Sequence, residues 1–195
     1  ALERDGRVRR LRLGSVEPNE VTPALITLLR DHPLLCEHVH IPLQSGDDAT
    51  LRRMRRLYRA AQWRETVTAL REAMPDAAIG ADVLVGHPGE DHASFERTLA
   101  FLDDTPWSYL HVFPFSARRG TASAQMDGQV AANDKAERVR QLTARSAERR
   151  RAFHHARVGQ TFEAIVLDAR APAGTVRALT RNYIPVQLDL GTRPR

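Results

Sequence analysis

The sequence predicts an α/β fold with a parallel sheet. Three observations predict it: four short β-patterned runs, turn residues at the end of each run, and helical patterns between them of crossover length.

The first run is VRRLRLGSV at 8–16. After it Asn19 is placed to cap a helix whose apolar face is Val21, Leu25, Leu28 and Leu29, stopped by Pro33. The second run, VHIPLQSG at 39–46, leads into a segment at 48–73 with two apolar stripes, Leu51, Met54 and Tyr58, then Trp63, Val67 and Leu70, with Met74 just beyond. Two consecutive amphipathic helices fit that spacing. The third run is AIGADVLVG at 78–86, and Asp91 is placed to cap the next helix, with Phe95, Leu99 and Leu102 inward and Pro106 beyond its end. YLHVFPFS at 109–116 is the fourth.

From residue 133 the pattern changes to one long basic helix, with Asp134 and Glu137 as a capping box, a thin stripe from Ala136 to Ala156, and Gly159 to end it. TFEAIVLD and VRALTRNYIPVQLDL then read as a small β module of two or three strands around a Pro/Gly turn at 171–174. The expected organisation is a barrel-like part at 1–132, a connecting helix at 133–158 and a β module at 159–195.

A chain of 195 residues supports one good core with a small appendage. Its net charge is +5 and nearly all its basic residues are arginine, which fits either nucleic-acid contact or a solvated arginine surface. No apolar run approaches the roughly 20 residues of a membrane helix, so no membrane partner and a cytoplasmic site are expected. The single cysteine, Cys36, excludes an internal disulfide, a CxxC pair and a cysteine metal cage formed by this chain alone.

Parallel α/β sheets bind ligands at the carboxyl ends of their strands. The polar and turn residues fall there: Ser15 and Glu17, Gln44 and Ser45, 86–90, and 114–116. Gly86 would let backbone approach a flat ligand; equally, Pro88 and Gly89 can punctuate an ordinary βα turn with Glu90 near a helix start. Gln44 and Ser45 offer donors and acceptors at the mouth. Arg52 and Arg56, one helical turn apart, suit a carboxylate or phosphate, whereas Arg53, Arg55 and Arg59 read as a solvated face. His40 and His111 read as packed strand histidines, because no second metal ligand has suitable spacing in the sequence. No paired acid/base or nucleophile constellation appears at the strand ends, which counts against an unrelated metal-free enzyme.

The stretches RLRLGSVEP, HVHIPLQSGDDATLRRMRRLY, IGADVLVGHPGE and YLHVFPFSARRGTAS, in this order, resemble the methylthiotransferases of the radical S-adenosylmethionine superfamily, and NYIPVQL resembles the start of their TRAM domain. The Ser-Val-Glu-Pro stretch is most similar to the branch acting on threonylcarbamoyl-adenosine beside the tRNA anticodon. The resemblance implies the later half of a partial (β/α) barrel, followed by a long helix and a truncated TRAM-like module. It implies S-adenosylmethionine across the strand ends, facing Gln44, Ser45, Asp82 and the turn from Gly86 to Glu90. Arg56, of the pattern with Met54 and Tyr58, would partner the methionine carboxylate, and Phe113 to Phe115 would line the adenine end. Arg177, Arg181, Asn182 and Tyr183 would grip tRNA.

The family also implies [4Fe-4S] clusters held by a CxxxCxxC loop and an N-terminal domain, and this sequence has neither. Truncation at both ends is therefore expected, with no metal ligands in this chain, no activity of the chain alone, and a missing N-terminal half or electron donor. Gly14 and His87 depart from the family's usual serine and phenylalanine. The alternative is a non-catalytic RNA-binding remnant or a subunit needing a cluster-bearing partner, which predicts salt-sensitive tRNA binding without cofactor affinity.

Overall fold

A computed structural model of the chain describes residues 8–168 and 175–189. After a short 3-10 turn at Pro18–Glu20 come α1 (Pro23–Asp31), β1 (His38–His40), α2 (Asp48–Arg53), α3 (Ala60–Ala73), β2 (Ala78–Val85), α4 (His92–Asp103) and β3 (Tyr109–Pro114). The strands form a parallel sheet in the order β1-β2-β3, with His40 beside Gly80 and Asp82 beside His111. This is the α/β architecture expected of part of a barrel.

The two sheet faces differ. Val39, Ile41, Ile79, Ala81, Val83 and Val85 join one core with Trp63, Val67, Leu70, Phe95, Leu99 and Leu102 from the helices. The alternate residues of the same strands include His38, His40, Asp82, Tyr109 and His111. A parallel sheet buried on both faces would read as continuous apolar runs. Here one face is kept polar.

Several local expectations are corrected. The run at 8–16 forms no regular strand: it makes isolated bridges, Leu11 to Leu35 and Ser15 to His40. Its neighbour β1 is three residues long between Pro33 and Pro42, and offers little ladder to pair with. Thr22, not Asn19, caps α1, because Pro23 fixes the first helical residue and the Thr22 side chain accepts from the Leu25 N–H. Arg52 and Arg56 do not share a helix: α2 ends at Arg53, and Arg55 takes a left-handed conformation at φ 57°.

The long helix α5 (Ala132–His155) is capped at Ala131, so Asp134 lies in its first turn and Asp134 with Glu137 form no capping box. It packs on β3, where Ser146 Oγ accepts from the Leu110 N–H at 2.8 Å and donates to the Leu110 carbonyl at 3.1 Å. β4 (Ala164–Asp168), β5 (Thr175–Thr180) and β6 (Pro185–Asp189) form a separate antiparallel sheet in that order. The turn expected at 171–174 lies outside the described residues.

The tip of this second sheet docks on the first. Arg181 donates to the Leu35 carbonyl and pairs with Glu37, and Asn182 Nδ2 donates to the Asp76 carbonyl at 3.2 Å. Tyr183 stacks on Tyr109, with ring centroids 5.6 Å apart, while the Arg12 guanidinium lies 4.9 Å from the Tyr183 ring centre.

Candidate functional site at the strand ends and inner sheet face

Past β1 the chain turns sharply at Gln44, which adopts φ 65° and bridges to Val83. The turn is pinned from below. Tyr58 donates its hydroxyl to the Pro42 and Leu43 carbonyls, and Trp63 Nε1 donates to the Ile41 carbonyl at 3.0 Å. Burial pushes the Tyr58 hydroxyl up to about 12, so it remains a donor.

Two cavities open along this region. One, about 330 Å³, is lined by Gln44, Arg56, Met54, Leu84, His87 and Phe115 among others. The other, about 430 Å³, is lined by Arg12, His38, His40, Asp82, Tyr109, His111, Phe113 and Tyr183 among others. The expected site residues are thus divided: Gln44 and Arg56 face one cavity, Asp82 and Phe113 the other.

Ser45 and Gly86 line neither cavity, and Glu90 lines a third with Gly89 and Arg138. Ser45 is buried and its hydroxyl lies 3.2 Å from Thr98 Oγ1. Gly86, at φ 75°, is covered by the Lys135 side chain, whose ammonium donates to the Phe115 carbonyl at 3.2 Å. Any side chain at this position would collide with that lysine. Glu90 closes the loop: its carboxylate accepts the Gly86 N–H at 3.0 Å and pairs with Arg138 of α5. Burial raises the Glu90 pKa, offset in part by the Gly86 N–H and by Arg138. Arg56 pairs with Glu17 at 3.2 Å. Of the expected RNA contacts, Arg177 is exposed on β5, whereas Asn182 is buried and Arg181 and Tyr183 turn toward the first sheet.

Sequence reasoning missed Arg138, Lys135, Arg12 and the pair His38 and Tyr109. His38 Nε2 lies 2.8 Å from the Tyr109 hydroxyl, and burial, with lesser repulsion from Arg12, pushes the His38 pKa down to about 3. The ring is neutral at ordinary pH. Burial likewise raises the Tyr109 pKa and lowers that of His87. The signal for the inner face was present as polar residues at every second strand position, 38 and 40, 109 and 111. Arg138 and Lys135 carried no such signal, since both sit in a helix full of basic residues.

Comparisons with known proteins agree with this architecture. The Escherichia coli coproporphyrinogen III oxidase, described as a radical SAM enzyme, superposes with a TM-score of 0.60 at 16% identity over 72% of this chain and 32% of that one. The threonylcarbamoyladenosine tRNA methylthiotransferase of Bacillus subtilis is 41% identical over 139 residues, 71% of this chain and 31% of that protein. The tRNA-2-methylthio-N(6)-dimethylallyladenosine synthase of Thermus thermophilus is 32% identical over 187 residues, 96% of this chain and 40% of its own length. The chain thus spans 31–40% of these curated relatives. Residues 5–102, half of the chain, match the Radical SAM superfamily itself. With its parallel strands, polar inner face and motif order, this chain belongs to the radical S-adenosylmethionine superfamily, where it is similar to the tRNA methylthiotransferases.

Proposed function

We propose that this chain is the cofactor-holding and RNA-facing portion of a cytoplasmic tRNA methylthiotransferase that acts on a modified adenosine beside the anticodon, in the threonylcarbamoyl-adenosine branch. The observation that carries the proposal is the convergence of Gln44, Arg56, His87 and Phe115 on one cavity at the strand ends. A relative at 41% identity bears that activity in its name.

S-adenosylmethionine fits this cavity chemically. Phe115, His87 and Leu84 offer flat and apolar surface for an adenine, and Gln44 offers an amide for its edge. Arg56 already binds a carboxylate, Glu17, and would exchange it for that of the cofactor. When bound, the cofactor supplies an activated sulfonium. Ser45, Glu90 and Arg138 act through the turns they fix. Asp82 and Phe113, expected at the cofactor, face a second cavity, and the substrate base would approach there.

A cysteine-ligated [4Fe-4S] cluster does not fit these residues, because the one cysteine, Cys36, is buried and no second thiolate accompanies it. In this reading the cluster and its electron come from a missing N-terminal half or a partner, and the chain alone binds without turnover. Arg177, exposed on β5, would meet tRNA phosphate, and Arg181, Asn182 and Tyr183 would orient the module that carries it.

Titration calorimetry tests the reading. The chain should bind S-adenosylmethionine, and Gln44→Ala and Arg56→Ala should each weaken binding about tenfold or more, while His92→Ala on the surface should not. A folded chain with no cofactor affinity but salt-sensitive tRNA binding would instead favour the non-catalytic RNA-binding alternative. Methylthiolated tRNA produced by the chain alone, given reductant and sulfide, would overturn the statement that it does not turn over.

A further inference from the structure

We propose that His40, Asp82 and His111 form a binding site for a divalent transition-metal ion on the inner face of the sheet. Each of three adjacent strands supplies one residue, and the parallel register sets Asp82 directly beside His111. His40 Nε2 lies 2.9 Å and His111 Nδ1 3.5 Å from Asp82 Oδ1, and the three ligand atoms all fall within 4.8 Å of one another.

The two separations from Asp82 are close to those of metal ligation, and the two imidazole nitrogens would draw together around an ion. Two ligand atoms each about 2.1 Å from one ion lie about 3.0–3.4 Å apart in octahedral or tetrahedral geometry. The His111 ring is half exposed, on the solvent side of the cluster, and a small rotation would bring its Nδ1 to the ion. Two imidazoles and one carboxylate suit zinc, ferrous iron or cobalt, with further positions open.

Charge points the same way. Among the described residues no arginine or lysine reaches the Asp82 carboxylate, and its ionic partners are the two imidazoles. A cation between the three groups would neutralise it without protonating either ring. His40 also has an outer partner: its Nδ1 lies 3.4 Å from the Tyr109 hydroxyl, leaving Nε2 for the ion. Arg12, whose buried Nη1 has no partner, lines the same cavity. The open positions therefore face a space suited to an anionic ligand.

The test is a Co²⁺ titration of the untagged full chain, read by visible d–d absorption, with Zn²⁺ as competitor and circular dichroism to verify folding. About one equivalent should bind. Asp82→Asn and His111→Ala should weaken it by about a hundredfold or more, and Tyr109→Phe by about tenfold, with His92→Ala unchanged. His111 is exposed enough that its replacement leaves the core intact. Absence of a one-equivalent site, or binding that survives Asp82→Asn, would overturn the proposal. No S-adenosylmethionine is present in this titration, so its failure leaves the cofactor reading standing, and the converse holds.

Discussion

Arg138→Met should destabilise the protein by about 3–5 kcal/mol, the cost of leaving a buried carboxylate without its partner. Both groups are almost fully buried, Arg138 on α5 and Glu90 at the end of the loop after β2. Glu90 also holds the Gly86 N–H, so the loss should spread into the strand end and loosen the Lys135 cover.

The deficit should depend on pH. The folded-state pKa of Glu90 is raised above its ordinary 4.5 by burial, so its stability contribution is present below that value and lost as pH rises through the folded pKa. Without Arg138 the folded pKa rises further. The gap between Arg138→Met and the parent should therefore be widest above both raised folded pKa values and close as pH falls through them, so that little of it remains at 4.5. Urea unfolding at two pH values measures it, and Glu90→Gln combined with Arg138→Met should recover most of the loss. An equal deficit at both pH values would show that lost packing, not the stranded charge, is responsible.

Trp63→Ala should cost about 3–5 kcal/mol as well, by a different route. Trp63 is fully buried, its ring centroid lies 5.9 Å from that of Phe101, and its Nε1–H donates to the Ile41 carbonyl. Alanine opens a cavity and strands that carbonyl next to the turn at Pro42 to Gln44. Trp63→Phe keeps most of the volume and loses the hydrogen bond, so about 1–3 kcal/mol is expected. Thermal unfolding ranks the two variants; a Trp63→Ala cost under about 1 kcal/mol would mean the core can collapse around the gap.

The alternation of strands and helices, the apolar stripes that became one core, and the order of motifs that placed the chain in its superfamily were all legible in the residue order. Those are local properties: side-chain period and turn residues act within a few positions of each other. Asp91, for example, caps α4 as its spacing indicates, because a cap needs only the next three residues. Tertiary structure decided the rest. His40 and His111 had no metal partner at any legible sequence spacing, and only parallel register brings Asp82 between them. Glu90 read as a helix-start carboxylate, yet Arg138 lies 48 residues away. Arg181, Asn182 and Tyr183 read as a nucleic-acid grip, and their contacts on Glu37, Asp76 and Tyr109 depend on how the second sheet docks. Pairings across such separations are set by which faces the core buries, and no periodicity in a single chain records them.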